Sequence, residues 1–111
     1  MAGYPDAQNL SVFVRCANSN QVIGGLIGRT SFGLLFIDLF FLPKALRGNG
    51  IGTQIMELAE TEARQRSCST AVLYTITFQA PGFYERQGYR LLGRVECEPP
   101  GYSRLCMLKT L

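Results

Sequence analysis

The chain is predicted to be an α/β (α+β) protein: a mixed, mostly antiparallel sheet with a parallel central strand pair and helices packed on it. Three observations predict this. Short apolar runs with strand-like spacing recur along the chain, separated by Gly, Pro, Asn and Ser clusters. Between two of them, over Ile51 to Arg66, the spacing changes to a helical one, so those two strands are expected to be parallel neighbours joined by a right-handed crossover. And 111 residues with 47% hydrophobic content suit one compact domain covering 1-111, burying roughly two thirds of its unfolded surface.

The elements follow in order. Leu10 to Ala17 alternates as a strand, and Asn18-Ser19-Asn20 is turn chemistry. Gln21 to Arg29 reads as a second strand whose Gly24, Gly25 and Gly28 suggest a bulge or a close backbone approach. Ser31-Phe32-Gly33 turns the chain into a third strand, Leu34 to Leu42, apolar on both faces except at Asp38, as for a central strand covered by helices. The helix that follows carries Ile51, Ile55, Leu58, Ala59 and Ala63 as its apolar stripe, with Glu60–Arg64 and Glu62–Arg66 pairs expected on its outer side. Thr70 to Ile76 is a fourth strand. A short helix from Pro81 to Gln87 has Pro in its first turn and Gly88 past its end. Tyr89 to Cys97 and Tyr102 to Lys109 close the sheet as an antiparallel pair around Pro99-Pro100-Gly101.

Composition excludes several functions. There is no histidine, and Cys16, Cys68, Cys97 and Cys106 are widely separated, so no metal site is expected and every mechanism that needs a His base is excluded. The cysteines read as reduced and mostly structural, Cys16 and Cys106 inside apolar strand patterns. The net charge of +3 comes from scattered basic residues, which argues against a nucleic-acid face. The longest apolar run, Leu34 to Leu42, is far short of the roughly 20 residues that span a bilayer, so no membrane association is expected. Met1 to Asp6 lacks the pattern of a secretory or transit signal, and a cytoplasmic protein is the expectation.

The chemistry is expected at Arg47-Gly48-Asn49-Gly50-Ile51-Gly52-Thr53, between the end of the third strand and the first turn of the long helix. Ligands of open α/β sheets bind beyond the carboxyl ends of parallel strands, and a helix start offers unpaired N–H groups and a positive dipole end, so a phosphate suits this place. The glycines at 48, 50 and 52 keep side chains away from those amides, and Arg47 adds positive charge. A Walker loop would need lysine after the last glycine, and a dinucleotide fingerprint would need glycine at 53; both are lacking. A loop that merely caps a helix is the plain alternative.

The pattern R-x-x-G-x-G, here Arg47, Gly50 and Gly52, resembles the acyl-CoA pyrophosphate signature of the GNAT superfamily of N-acyltransferases. The stretch Phe78-Gln79-Ala80-Pro81-Gly82-Phe83-Tyr84-Glu85-Arg86-Gln87-Gly88-Tyr89 is similar to that family's A-x-x-F-Y-x-x-x-G-F/Y segment, and the order of elements agrees. The resemblance implies a GNAT-like fold, acetyl-CoA as cosubstrate, and direct transfer of its acetyl group to a primary amine. It places Tyr84 near the CoA sulfur as general acid for the departing thiolate; a buried structural tyrosine is the other reading. It puts the pantetheine arm along Phe40, Phe41 and Leu42, lying like an added strand where the third strand leaves the fourth. The phenylalanines 32, 36, 40, 41 and 78 read as core.

Asp38 has two readings. A lone carboxylate in an apolar strand is costly, which suggests a base or an amine-binding group, or else an ion pair with an arginine of this chain. GNAT domains usually begin with a strand and two helices that wall the acceptor pocket, whereas about nine residues precede the first strand here. The acceptor, a small-molecule or peptide amine, would then meet an open site, or a homodimer would supply the wall. A non-catalytic acyl-CoA sensor and a domain that binds no nucleotide are the competing functions.

Overall fold

A computed structural model describes residues 7–76, 81–96 and 103–111. Six strands form one sheet in the order β1-β2-β3-β4-β6-β5. β1 (Gln8–Arg15), β2 (Val22–Ser31) and β3 (Leu34–Phe41) form an antiparallel meander. β3 and β4 (Thr70–Ile76) are parallel, joined through α1 (Ile51–Gln65). After α2 (Pro81–Arg86), β5 (Arg90–Glu96) takes the sheet edge and β6 (Ser103–Thr110) inserts antiparallel between it and β4. One parallel pair in an otherwise antiparallel sheet is the architecture the sequence predicts. The segment Pro99-Pro100-Gly101, expected to turn β5 into β6, lies outside the described residues.

Both helices pack on one face of this sheet. Leu10, Leu26, Leu35, Ile37, Ala71, Leu73, Leu105 and Met107 supply its inner surface, and α1 presses Ile55, Met56, Ala59 and Ala63 onto them. Burying each large aliphatic side chain in this way contributes about 1.5–3 kcal/mol. Two details of α1 differ from expectation. Its buried stripe is Gly52, Ile55, Met56, Ala59, Glu60 and Ala63, while Leu58 is 60% exposed. Leu58 stands two positions beyond Met56, which places it roughly 200° away around the helix axis. Glu60, expected on the outer side, is instead buried; Glu62 does face outward and pairs with Arg66 at 2.9 Å.

β3 is a second correction. It is not covered on both faces: Leu39 and Phe41 point away from the helices and are exposed, as are Phe13, Ile27 and Tyr74 on neighbouring strands. Of the phenylalanines read as core, Phe32 is exposed in the β2–β3 turn, Phe40 packs against the core, and Phe78 lies outside the described residues. The close approach expected of the β2 glycines is present, since a Cβ at Gly28 would stand 2.3 Å from the Phe36 carbonyl oxygen. The bulge falls opposite. Gly28 pairs with Ile37 and Ile27 with Leu39, leaving Asp38 as the extra residue of β3. The extra residue lets Ile37 and Phe40 share the helix-covered face. Cys16 lies just beyond β1 instead of inside it, where backbone hydrogen bonds from Asn18 and Ser19 lower its thiol pKa.

Candidate active site

β3 and β4 part company. Their pairing runs from Leu34–Thr70 to Ile37–Leu73 and stops, although β3 continues to Phe41 and β4 to Ile76. The two strands therefore fork at the carboxyl end of the parallel pair, the place where open α/β sheets receive ligands. The bulge at Asp38 coincides with the fork, and beyond it the β4-facing backbone of β3 has no sheet partner among the described residues.

The start of α1 stands beside this fork. Leu42 follows β3, a single 3-10 turn occupies Lys44–Leu46, and Arg47 Nε donates to the Leu42 carbonyl at 2.8 Å, closing the connection. Gly48 and Gly50 have φ of +86° and +79°, the left-handed region that glycine enters without strain, and open space lies where a Cβ would be. Gly50 is the N-cap, with no capping side chain and no acidic residue in the first turn. The first helical bond is Gln54 N–H to the Gly50 carbonyl, which leaves the N–H groups of Ile51, Gly52 and Thr53 without helical acceptors. Uncapped amides, the helix dipole and the exposed Arg47 together give this corner the polarity that suits an anion.

Gly52 has a different reason from the other two glycines. It is helical and buried, and a Cβ there would come within 3.1 Å of the Phe83 ring and 3.5 Å of Phe40. Its missing side chain lets α2 pack against α1. Thr53 is also committed in part, because Gln87 Nε2 donates to its Oγ1 at 2.9 Å. That bond ties the end of α2 to the first turn of α1. Gln87 had no local sequence signal, since its partner is distant in the chain.

Tyr84 and Phe40 meet at the fork. The Phe40 ring lies 5.4 Å from Phe83 and 6.2 Å from Tyr84, so one side chain of β3 touches α2 and the α1 start together. Tyr84 is packed edge-on by Phe83 as well, at 5.3 Å, and its hydroxyl makes no hydrogen bond to a described residue. Burial pushes its pKa above the ordinary 10.0, so the phenol keeps its proton at neutral pH.

Asp38 is not brought to Tyr84's side of the sheet. It is half exposed on the uncovered face, where Arg29 Nη1 donates to its Oδ1 and the Arg29 guanidinium also lies 4.7 Å above the Phe36 ring. The carboxylate thus has its partner in this chain. A separate cavity of about 240 Å³, lined among others by Phe32, Arg66 and Cys68, opens near the β2–β3 turn, at the far end of β3 from the fork.

Residues 3–89 match the acetyltransferase (GNAT) family. The chain belongs to the GNAT acetyltransferase family. An acetyltransferase of Agrobacterium fabrum is 40% identical over 91 residues, covering 82% of this chain and 66% of that protein. The blasticidin-S acetyltransferase of Streptomyces morookaense is 35% identical over 109 residues, covering 96% of this chain and 80% of that one. Among solved structures, an acetyltransferase of Agrobacterium tumefaciens superimposes with a TM-score of 0.89 at 36% identity, over 96% of this chain and 77% of the other. The fork and the uncapped, glycine-started helix described above are therefore those of a GNAT domain. This GNAT chain spans about two thirds of the first relative's length and four fifths of the second's.

Proposed function

We propose that this GNAT chain, one domain over 1-111, is an N-acetyltransferase that moves an acetyl group from acetyl-CoA to a primary amine by direct attack. The observation that carries the reading is the fork itself: Phe40, just past it, contacts both Gly52 at the start of α1 and Tyr84 on α2. A pyrophosphate on the Gly48 to Thr53 amides and a pantetheine arm along the unpaired edge of Phe40, Phe41 and Leu42 bring the thioester between the two strands. The amine approaches from the uncovered face. Its nitrogen forms a bond to the thioester carbon, the C–S bond breaks, the sulfur takes the Tyr84 proton, and the nitrogen releases a proton to water. Asp38 Oδ1 is held by Arg29, which supports the ion-pair reading of this carboxylate over a role as general base or ammonium site.

The relative named for blasticidin S supports a small-molecule amine as acceptor. No helix in the described residues is long and apolar enough to cross a membrane, and the cytoplasm is the proposed setting. The experiment is a panel of small amines with acetyl-CoA, followed by release of free thiol. Amine-dependent release is expected; thermal stabilisation by CoA without any release would instead identify a sensor module, and neither would remove nucleotide binding altogether.

A homodimer belongs to the same proposal. The uncovered face presents Phe13, Ile27, Leu39 and Tyr74 across four adjoining strands, an apolar surface more extensive than isolated surface residues account for. A second copy lying on it would wall the acceptor side of the fork. Sedimentation at micromolar concentration is expected to give twice the chain mass, and Leu39→Asp is expected to return it to the monomer.

A further inference from the structure

Next to Tyr84 lies a buried polar cluster. The Glu60 side chain is 4% exposed on the inner stripe of α1, where an uncompensated carboxylate is not tolerated. Its oxygens are separately occupied: Lys109 Nζ from β6 donates to Oε1 at 2.8 Å, and the Tyr89 hydroxyl donates to Oε2 at 3.0 Å. Arg64 lies farther off, at 3.9 Å. Tyr89 in turn touches Tyr84 twice. Its ring stands edge-on to the Tyr84 ring, centroids 6.2 Å apart, and its N–H donates to the Tyr84 carbonyl at 3.0 Å. The Lys109 ammonium also sits 5.8 Å above the Tyr89 ring.

We propose that Tyr89, anchored on the Glu60–Lys109 pair, is a positioning residue that sets the orientation of Tyr84 toward the fork. The Tyr84 hydroxyl has no hydrogen bond of its own to a described residue, so its ring orientation depends on the rings around it. Phe40 and Phe83 hold it only by apolar edges. Among the described rings around Tyr84, Tyr89 is the one that is tethered, by a hydroxyl to a buried charge, and a tethered neighbour restricts where Tyr84 can settle. Packing alone does not require this arrangement, because a phenylalanine at 89 would fill nearly the same volume and well-packed apolar groups commonly replace a buried ion pair without loss. A small misplacement of a reacting group is costly to rate, which gives such a tether its purpose.

The inference rests on Tyr84 acting as proton donor. Its test is a double-mutant cycle of Tyr84→Phe and Tyr89→Phe, measuring kcat, KM for acetyl-CoA, and the melting curve of each variant. Tyr89→Phe keeps the ring and removes the tether. It is expected to lower kcat about tenfold with KM within about twofold, and to add nothing further in the Tyr84→Phe background. Wild-type kcat in folded Tyr89→Phe, or losses that simply multiply in the double variant, overturns the positioning role alone. Wild-type kcat in Tyr84→Phe removes the donor assignment and this inference with it, so the two failures are told apart by which single variant stays active.

Discussion

Tyr84→Phe is expected to lower turnover about a hundredfold while leaving affinity for acetyl-CoA within about twofold, the ordinary scale of general-acid catalysis. The substitution removes one oxygen that makes no hydrogen bond to a described residue, and the ring contacts with Phe40, Phe83 and Tyr89 survive it. Stability should therefore change little. What is lost is the proton. A thiol has an ordinary pKa of about 8.5, and a phenol of about 10, so complete transfer in water runs uphill by about 2 kcal/mol. Inside the fork desolvation disfavours a bare thiolate as well as a bare phenolate, so both groups move in the same direction. The sign of the shift decides the pH profile. A raised pKa keeps the active, protonated phenol populated to higher pH, so the alkaline limb of kcat is expected above 10 and absent from the variant. Unchanged kcat at saturating substrates, or a limb that survives the substitution, would end the assignment.

Much of this site was legible because its signals are local. The Gly48 to Gly52 segment announces a turn into a helix within a few residues, and Gly50 and Gly48 do adopt the left-handed conformation. The strand boundaries also follow from period and punctuation, Thr70–Ile76 without change. What was missed depends on partners distant in sequence. Glu60 looks like the first half of a surface pair with Arg64, yet its partner Lys109 is 49 residues away and draws it inward. Gly52 belongs to a run of glycines that reads as a phosphate cradle, and the structure adds a packing constraint that the run does not report, the Phe83 ring on another helix. The bulge at Asp38 shifts side-chain parity by one residue, which no alternation of polar and apolar letters reports in a strand as apolar as this. Sidedness was the largest difference. A continuous apolar strand reads the same whether one face or both are covered by helices.

Glu60→Ala is expected to destabilise the domain by about 3 kcal/mol, near the low end for breaking a buried ion pair, because Lys109 is partly exposed and can turn toward water. Asp38→Asn offers the contrast: the same type of pair, with Arg29, but nearly half exposed on both sides, should cost under about 1 kcal/mol. The physical cause is the charge left behind, and that is separately testable. Replacing both partners, as Glu60→Leu with Lys109→Met, leaves no orphan charge and should recover most of the loss. The recovery should stop about 1–2 kcal/mol short, because the buried Tyr89 hydroxyl then has no acceptor, and adding Tyr89→Phe should close that gap. Urea midpoints of the four variants check the series; a cost below about 1 kcal/mol for Glu60→Ala would show that the pair is not buried in solution. Stability and turnover should then separate. The triple variant regains its fold with an apolar cluster in place of the charged one, but nothing in it tethers the ring beside Tyr84, so its kcat is expected to stay about tenfold low.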